Sequence, residues 1–385
     1  MLVVGIALRN LFDDVFFVLP LWSVTLRRAA FVVILLRGGL SLDADALNKL
    51  KGACLRLCFI PCSVEAVVVA ATSWLLLNMD VLYGLLLGFV LAAVSPAVIV
   101  PAMVDAQNHC YGTDSGVPTL IVASASLDDV YAITMFSILL SIVFSTGDSV
   151  SLTLLKAPVE VLSGIFFGAI CGFVLRYVPG PTQKNKSLIR FCMLFTMSLA
   201  WLLITISLRV DSIGAIAVLV TAFVAGIHWK KEGSLPTEGQ LSVAWKLFFE
   251  PCLFGLIGFE LSLDIVSWSV IGWGSVVLAS GLILRTISAF LVVFGAGFNI
   301  KEQLFIAISW IPKATVQAAL APLALDIARS RTDLPAVYTD NGVIIFTIAV
   351  LSILTTAPLG AFIIRLCTPI LLKKVYPKVS IELNH

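Results

Sequence analysis

Residues 116–144 read GVPTLIVASASLDDVYAITMFSILLSIVF. As a helix this stretch is long enough and apolar enough to cross a hydrocarbon layer about 30 Å thick. Two adjacent carboxylates, Asp128 and Asp129, nevertheless stand inside it, and apart from Tyr131 they are its only ionisable acids or bases. An ionised carboxylate at a bilayer centre costs at least about 2.5–3.5 kcal/mol, so acids at that depth usually serve ions or protons. A capping reading competes, because Ser126-x-x-Asp129 ahead of an apolar run matches a helix N-terminal box. A helix starting there leaves only residues 130–144 as span and gives residues 117–125 no role, so the pair is read as mid-membrane. Successive helical residues point about 100° apart, and the two acids face different ways. Asp129 shares a face with Ala125 and Ser126, whose small side chains admit a neighbouring helix, whereas Asp128 turns toward Ser124. Asp129 is the expected principal ion ligand and Asp128 its companion.

The rest of the chain agrees with a membrane setting. Of its 385 residues, 59% are hydrophobic and 12% charged, against about 45–50% and about 25% in soluble domains. Residues 81–104 and 341–364 carry no charge at all. Eleven spans are expected, at 23–42, 53–77, 81–103, 117–145, 155–177, 190–208, 213–229, 240–262, 272–297, 301–326 and 341–371. Residues 1–8 are too short to cross and read as the end of an incomplete first helix, so the chain is expected to be N-terminally truncated. The opening residues do not read as a positively charged leader with a small-residue cleavage site, so no signal peptide is expected. A net charge of +2 favours neither nucleic acid nor an acidic partner. Cys54, Cys58 and Cys62 recur every four residues along one helical face; small buried hydrophobes are preferred there to a metal stripe. Alternating the loops puts Lys49, Lys51, Lys184, Lys186, Lys230, Lys231, Lys301, Lys373, Lys374 and Lys378 on one side. Arg9, Arg209, Arg329 and Arg331 fall on the other. The lysine side is read as cytoplasmic, with both chain ends facing it.

Two spans carry proline breaks. One contains Ser95, Pro96 and Pro101; the other contains Pro312, Lys313, Thr315 and Pro322. Proline lacks an N–H and clashes with the preceding turn, and unwound backbone at membrane depth needs protein or a wet cavity around it. Pro96 and Pro312 lie 216 residues apart, and the intramembrane charges Glu65 and Arg285 lie 220 apart. The matched offsets suggest a repeat, 53–145 answering 272–371, of the kind that builds transporter sites. Glu65 and Arg285 are expected to pair, since Arg285 is too deep to reach the interface easily. Lys313 is expected at a negative helix end or at Asp128, with snorkelling as the alternative. Glu250, next to Pro251, suggests a helix irregularity; Glu260 has no assigned role. A proton and a hard cation such as sodium compete for one buried carboxylate, and either neutralises it. If only neutral, occupied states cross, the two fluxes are coupled, and transport falls at acid pH as protons displace sodium.

Five segments carry a family resemblance: RGGLSLDADALNKLKG (37–52), LAAVSPAVIVPAM (91–103), GVPTLIVASASLDDVYAIT (116–134), EPCLFGLIGFELS (250–262) and WIPKATVQAALAPLALDIAR (310–329). Together they resemble the animal NHA-type sodium/hydrogen exchangers, subfamily 9B of the cation:proton antiporter-2 group, from residue 1 to about 375. The resemblance implies an all-α polytopic inverted-repeat antiporter with two crossed discontinuous helices, exchanging Na+ or Li+ for H+ without a cofactor. It implies Asp129 and Asp128 as ion-binding residues, Glu65 and Arg285 as the supporting ion pair, and Lys313 as the family's lysine in the second broken helix. It also implies a homodimer and an elevator-like core. On that pattern residues 1–52 and 146–271 form the dimerisation domain with its linker helix, 53–145 and 272–372 the core, and 373–385 a cytoplasmic tail. Other readings are a sodium-coupled organic-solute symporter of similar fold and a truncated, inactive partner of a full-length exchanger. An intramembrane aspartyl protease needs two acids facing each other from different helices, which Asp128-Asp129 does not supply; no enzymatic activity is expected.

Overall fold

The computed structural model describes residues 1–12, 17–41, 51–144, 150–180, 183, 185–208, 210–232, 239–262, 267–331 and 334–374. Lys49, Lys184, Arg209, Lys378 and most of the expected tail lie outside the described residues. The helices run in chain order as α1 (Leu2–Leu11), α2 (Pro20–Ser41), α3 (Lys51–Leu77), α4 (Val81–Ala92), α5 (Pro96–Asn108), α6 (Val117–Val143) and α7 (Val150–Tyr177). They continue as α8 (Lys186–Ser207), α9 (Asp211–Lys231), α10 (Gln240–Glu260), α11 (Trp268–Val292), α12 (Ile300–Ser309), α13 (Thr315–Ser330) and α14 (Ala336–Leu371). Every expected span has its helix. Among the described residues nine segments are long and apolar enough to cross a membrane, α4–α5 counting as one. The two other expected spans are α2, diluted by Arg27, Arg28 and Arg37, and α12–α13, whose halves have 10 and 16 residues.

Residues 51–143 and 268–371 repeat one order: an unbroken helix, a broken one, an unbroken one. The leading helices α3 and α11 pack on each other, and Gly281 lets them close. A Cβ there would come within 2.7 Å of Val69 Cγ2 and 3.3 Å of Glu65 Cγ. The first break follows from Pro96, which pushes its predecessor out of the helical region. Ser95 is extended at φ −96°, ψ 104°, and Ala93 at φ −62°, ψ 136°. Pro101 and Pro322, in contrast, sit inside continuous helices, so neither is a break residue. The second break separates Ser309 from Thr315 around Pro312, and α12 is started by a capping box between Asn299 and Glu302.

The two breaks touch, the Ser95 N–H donating to the Pro312 carbonyl at 3.0 Å. α14 reaches this crossing through Gly360, where a Cβ would lie 2.5 Å from Pro312 Cγ. A π-helical stretch, Trp245–Phe249, interrupts α10 just before Glu250 and Pro251, whose missing N–H breaks the regular ladder. Outside the repeats, α9 packs on α7, α2 and α8, and α1 on α10. Exposed Leu162, Phe166 and Phe173 leave α7 with an apolar outer face suited to lipid.

Candidate ion-binding site

α6 is unbroken from Val117, so Ser126 and Asp129 lie within the helix and cap nothing. Asp128 is 0% exposed and Asp129 4%. Asp128 is held on one oxygen: Oδ2 accepts from Arg285 Nη2 at 2.9 Å and from the Val94 N–H, in the first break, at 3.2 Å. Arg285 also donates through Nη1 to Glu65 at 2.8 Å, and Glu65 binds Lys313 Nζ at 2.8 Å. All four side chains are fully buried. Lys313 therefore neither snorkels nor pairs with Asp128; its partners are Glu65 and the Leu91 carbonyl.

That carbonyl belongs to the end of α4. A helix leaves its last carbonyls without intrahelical donors, and their dipoles make that end negative. Arg285 donates to Ala92 O, Lys313 to Leu91 O, and Gln317 Nε2 to Val90 O at 3.0 Å and Ala93 O at 2.6 Å. Each such group left unsatisfied in the interior would cost about 1–3 kcal/mol. Gln317 is the member that the sequence reading missed; its one signal is an uncharged polar side chain in the first turn after the break, among apolar neighbours.

Asp129 has a different environment. Its buried Oδ1 has no hydrogen-bond donor among the described residues, and neither do Asp128 Oδ1 and the buried hydroxyl of Ser95. Thr315 opens α13 and is 5% exposed. Cys54, Cys58 and Cys62 are buried, and Ser124 donates to Cys54 Sγ at 3.2 Å. Glu65, Asp128, Arg285 and Lys313 are locked in mutual contacts, while Asp129 stands outside those pairs with the Arg37 guanidinium, itself within electrostatic reach of Glu250, as a further charge acting on it.

A second cluster gives Glu260 a place. Arg27, 4% exposed, binds Asp326 at 2.7 Å and Glu260 at 3.2 Å, and Arg329 also pairs with Glu260. The cluster ties α2 and α10 to α13. Arg27 is thus a buried tie between helices. Between α8 and the end of α9, buried Arg190 pairs with Glu232 and stacks over Trp229, 5.0 Å from its ring centre.

The chain matches the family model of the transmembrane sodium/hydrogen exchanger over residues 1–365. It is 41% identical over 377 residues to human sodium/hydrogen exchanger 9B2, covering 97% of this chain and 69% of that protein. The Xenopus tropicalis 9B2 exchanger is 40% identical over 376 residues, with the same coverage. Human exchanger 9B1 is 37% identical over 386 residues, 100% of this chain and 74% of that one. Among solved structures, the sodium proton antiporter MjNhaP1 of Methanocaldococcus jannaschii superposes with a TM-score of 0.74 at 19% identity, covering 96% of this chain and 91% of that one. At that identity the likeness establishes the antiporter fold. With two crossed broken helices, buried acids beside them and 9B exchangers similar along nearly its whole length, this chain belongs to the sodium/hydrogen exchanger family.

Proposed function

We propose that Asp129 is the exchange site, where one Na+ or Li+ and one H+ compete for the same carboxylate. The observation that carries this reading is the buried Oδ1 of Asp129, without a donor among the described residues, beside the paired charges of Glu65, Asp128, Arg285 and Lys313. Glu65 and Asp128 offset Arg285 and Lys313. Asp129 is left outside those pairs, with Arg37 shared between it and Glu250, and a single monovalent cation or proton neutralises its carboxylate. One-for-one, electroneutral exchange follows. Arginine hardly deprotonates, so Arg285 holds Asp128 in place and carries no proton. Oxygen ligands suit a hard cation, and the Asp129 and Asp128 carboxylates with the Ser95 hydroxyl are the candidates.

The empty, ionised site is disfavoured from crossing a low-dielectric barrier by at least about 2.5–3.5 kcal/mol. Occupied states move, which couples the two ions. In this reading residues 53–145 and 272–372 form the moving core, working elevator-like against residues 1–52 and 146–271, through which the chain forms a homodimer. The Arg27–Asp326 pair joins α2 of the second group to α13 of the first and parts on each cycle. Both chain ends face the cytoplasm, by the lysine excess on that side.

Proteoliposomes loaded with a pH-reporting dye test this. Wild type moves protons against an imposed sodium or lithium gradient, at a rate insensitive to clamped voltage, and Asp129→Asn does not. Sodium-driven proton movement retained by Asp129→Asn overturns the assignment.

A further inference from the structure

Away from the aspartates, α5 and α14 enclose a cavity of about 560 Å³. One wall is a single face of α5, on which Val98, Ala102 and Asp105 follow turn by turn, continued by His109 just past its end. The other is a face of α14 carrying Ala361, Arg365 and Thr368, and Tyr111 closes the end. The groove is apolar at its deep end, along Val98, Ala102 and Ala361, and polar at its outer end.

Arg365 is its odd member. It precedes the end of α14 at Leu371 by six residues, about 9 Å along the axis, and is exposed on a helix that spans the membrane. Among the described residues no acid lies within ion-pair distance of it, although Asp105 lines the same cavity. The Asp105 carboxylate is instead 3.3 Å from His109 Nδ1. Further positive charge lies at the mouth. Lys374 Nζ sits over the Tyr111 ring at 5.6 Å, and the Lys373 carbonyl accepts from the Gly112 N–H at 2.9 Å. An arginine this close to a helix end carries its guanidinium to the interface, where basic pockets between membrane helices take anionic headgroups.

We infer that this groove seats one anionic phospholipid, from the leaflet on the Lys373–Lys374 side. Its phosphate rests on Arg365 with Lys374 nearby, and one acyl chain lies along Val98, Ala102 and Ala361. The charge of the rim selects the headgroup, and the apolar depth separates a lipid from a free anion. Bound there, the lipid braces the Tyr111–Gly112 turn that leads into α6.

Thermal melting of the purified full chain, with native mass spectrometry of retained lipid, tests the site without reference to transport. Phosphatidylglycerol is expected to raise the melting temperature and to stay bound. Phosphatidylcholine with the same acyl chains, and inorganic phosphate, are expected to do neither. Arg365→Leu weakens phosphatidylglycerol retention tenfold or more and Arg365→Lys restores most of it. Ala102→Trp, which fills the apolar floor and leaves the arginine, also weakens retention. The inference is overturned if Arg365→Leu retains phosphatidylglycerol as wild type does. An equal effect of phosphatidylcholine overturns it too, and inorganic phosphate matching phosphatidylglycerol reduces the site to an anion site and refutes the lipid.

Discussion

Removing the charge of Glu65 is the sharpest perturbation of the buried cluster. Glu65 is 0% exposed and lies 2.8 Å from both Arg285 Nη1 and Lys313 Nζ. In Glu65→Gln the two cations keep one fixed acid, Asp128, between them, and the group around the breaks shifts by one positive charge. Breaking a buried pair from one side costs about 3–5 kcal/mol, because the remaining charge is left uncompensated. Here Lys313 keeps its bond to Leu91 O and Arg285 keeps Asp128, so the loss is expected near the lower end, about 3 kcal/mol. The stranded positive charge also opposes sodium at Asp129, raising the sodium concentration needed for half-maximal exchange. Lys313→Met alone strands Glu65 against Arg285 only. Glu65→Gln with Lys313→Met restores the balance, and its cost is expected to fall short of the sum of the single changes by about 0.5–3 kcal/mol, the range for residues in contact. Melting of all four proteins in detergent measures the cycle, and dye-reported exchange gives the sodium dependence. Additive losses, or a Glu65→Gln protein as stable as wild type, refute the claim that these charges act as one balanced unit.

Three further expectations follow from contacts elsewhere. Arg27→Gln leaves Asp326 without its guanidinium at 2.7 Å and is expected to lower stability by about 3 kcal/mol; an unchanged melting temperature would mean that water reaches the cluster. Gly360→Leu drives a side chain into the Pro312 ring, since even a Cβ would sit 2.5 Å from it, and is expected to abolish exchange while the protein still inserts; normal exchange contradicts the crossing as drawn. At the end of α9, the hydrogen bond from Arg190 holds the Glu232 carboxyl below its ordinary value of 4.5. A depressed acid stabilises the fold above its unfolded-state value and loses that contribution as pH falls through the folded one. Glu232→Gln is therefore expected to melt lower than wild type at pH 7, with the gap closing below about pH 4; a gap independent of pH refutes the ion pair.

Much of this arrangement is legible in the chain because it rests on local chemistry. The apolar runs give the spans, Pro96 and Pro312 give the crossed breaks, and the closely matched offsets give the repeated order of helices. Proline alone was a poor guide to where a helix parts: Pro101 and Pro322 stay helical, whereas the two spans unwind where Ser95 and Pro312 bond across the crossing. What the chain hides is partnership over long separations. The contact of Arg285 with Asp128, and Lys313 turning to Glu65 rather than Asp128, depend on how two repeats dock. Gln317 looks like any polar helical residue until the open carbonyls of α4 are placed beside it. Arg27, Glu260 and Asp326 come from three distant segments, so nothing local marks them as a cluster.

The most direct measurement of the exchange itself is calorimetric titration of sodium into the purified protein in two buffers of different ionisation enthalpy, near the pH at which half the protein carries its proton. If one carboxylate serves both ions, each sodium bound displaces a fraction of a proton that falls toward zero as pH rises, and Asp129→Asn shows neither binding nor release. Sodium binding with no proton release at any pH, or an unchanged isotherm in Asp129→Asn, contradicts it.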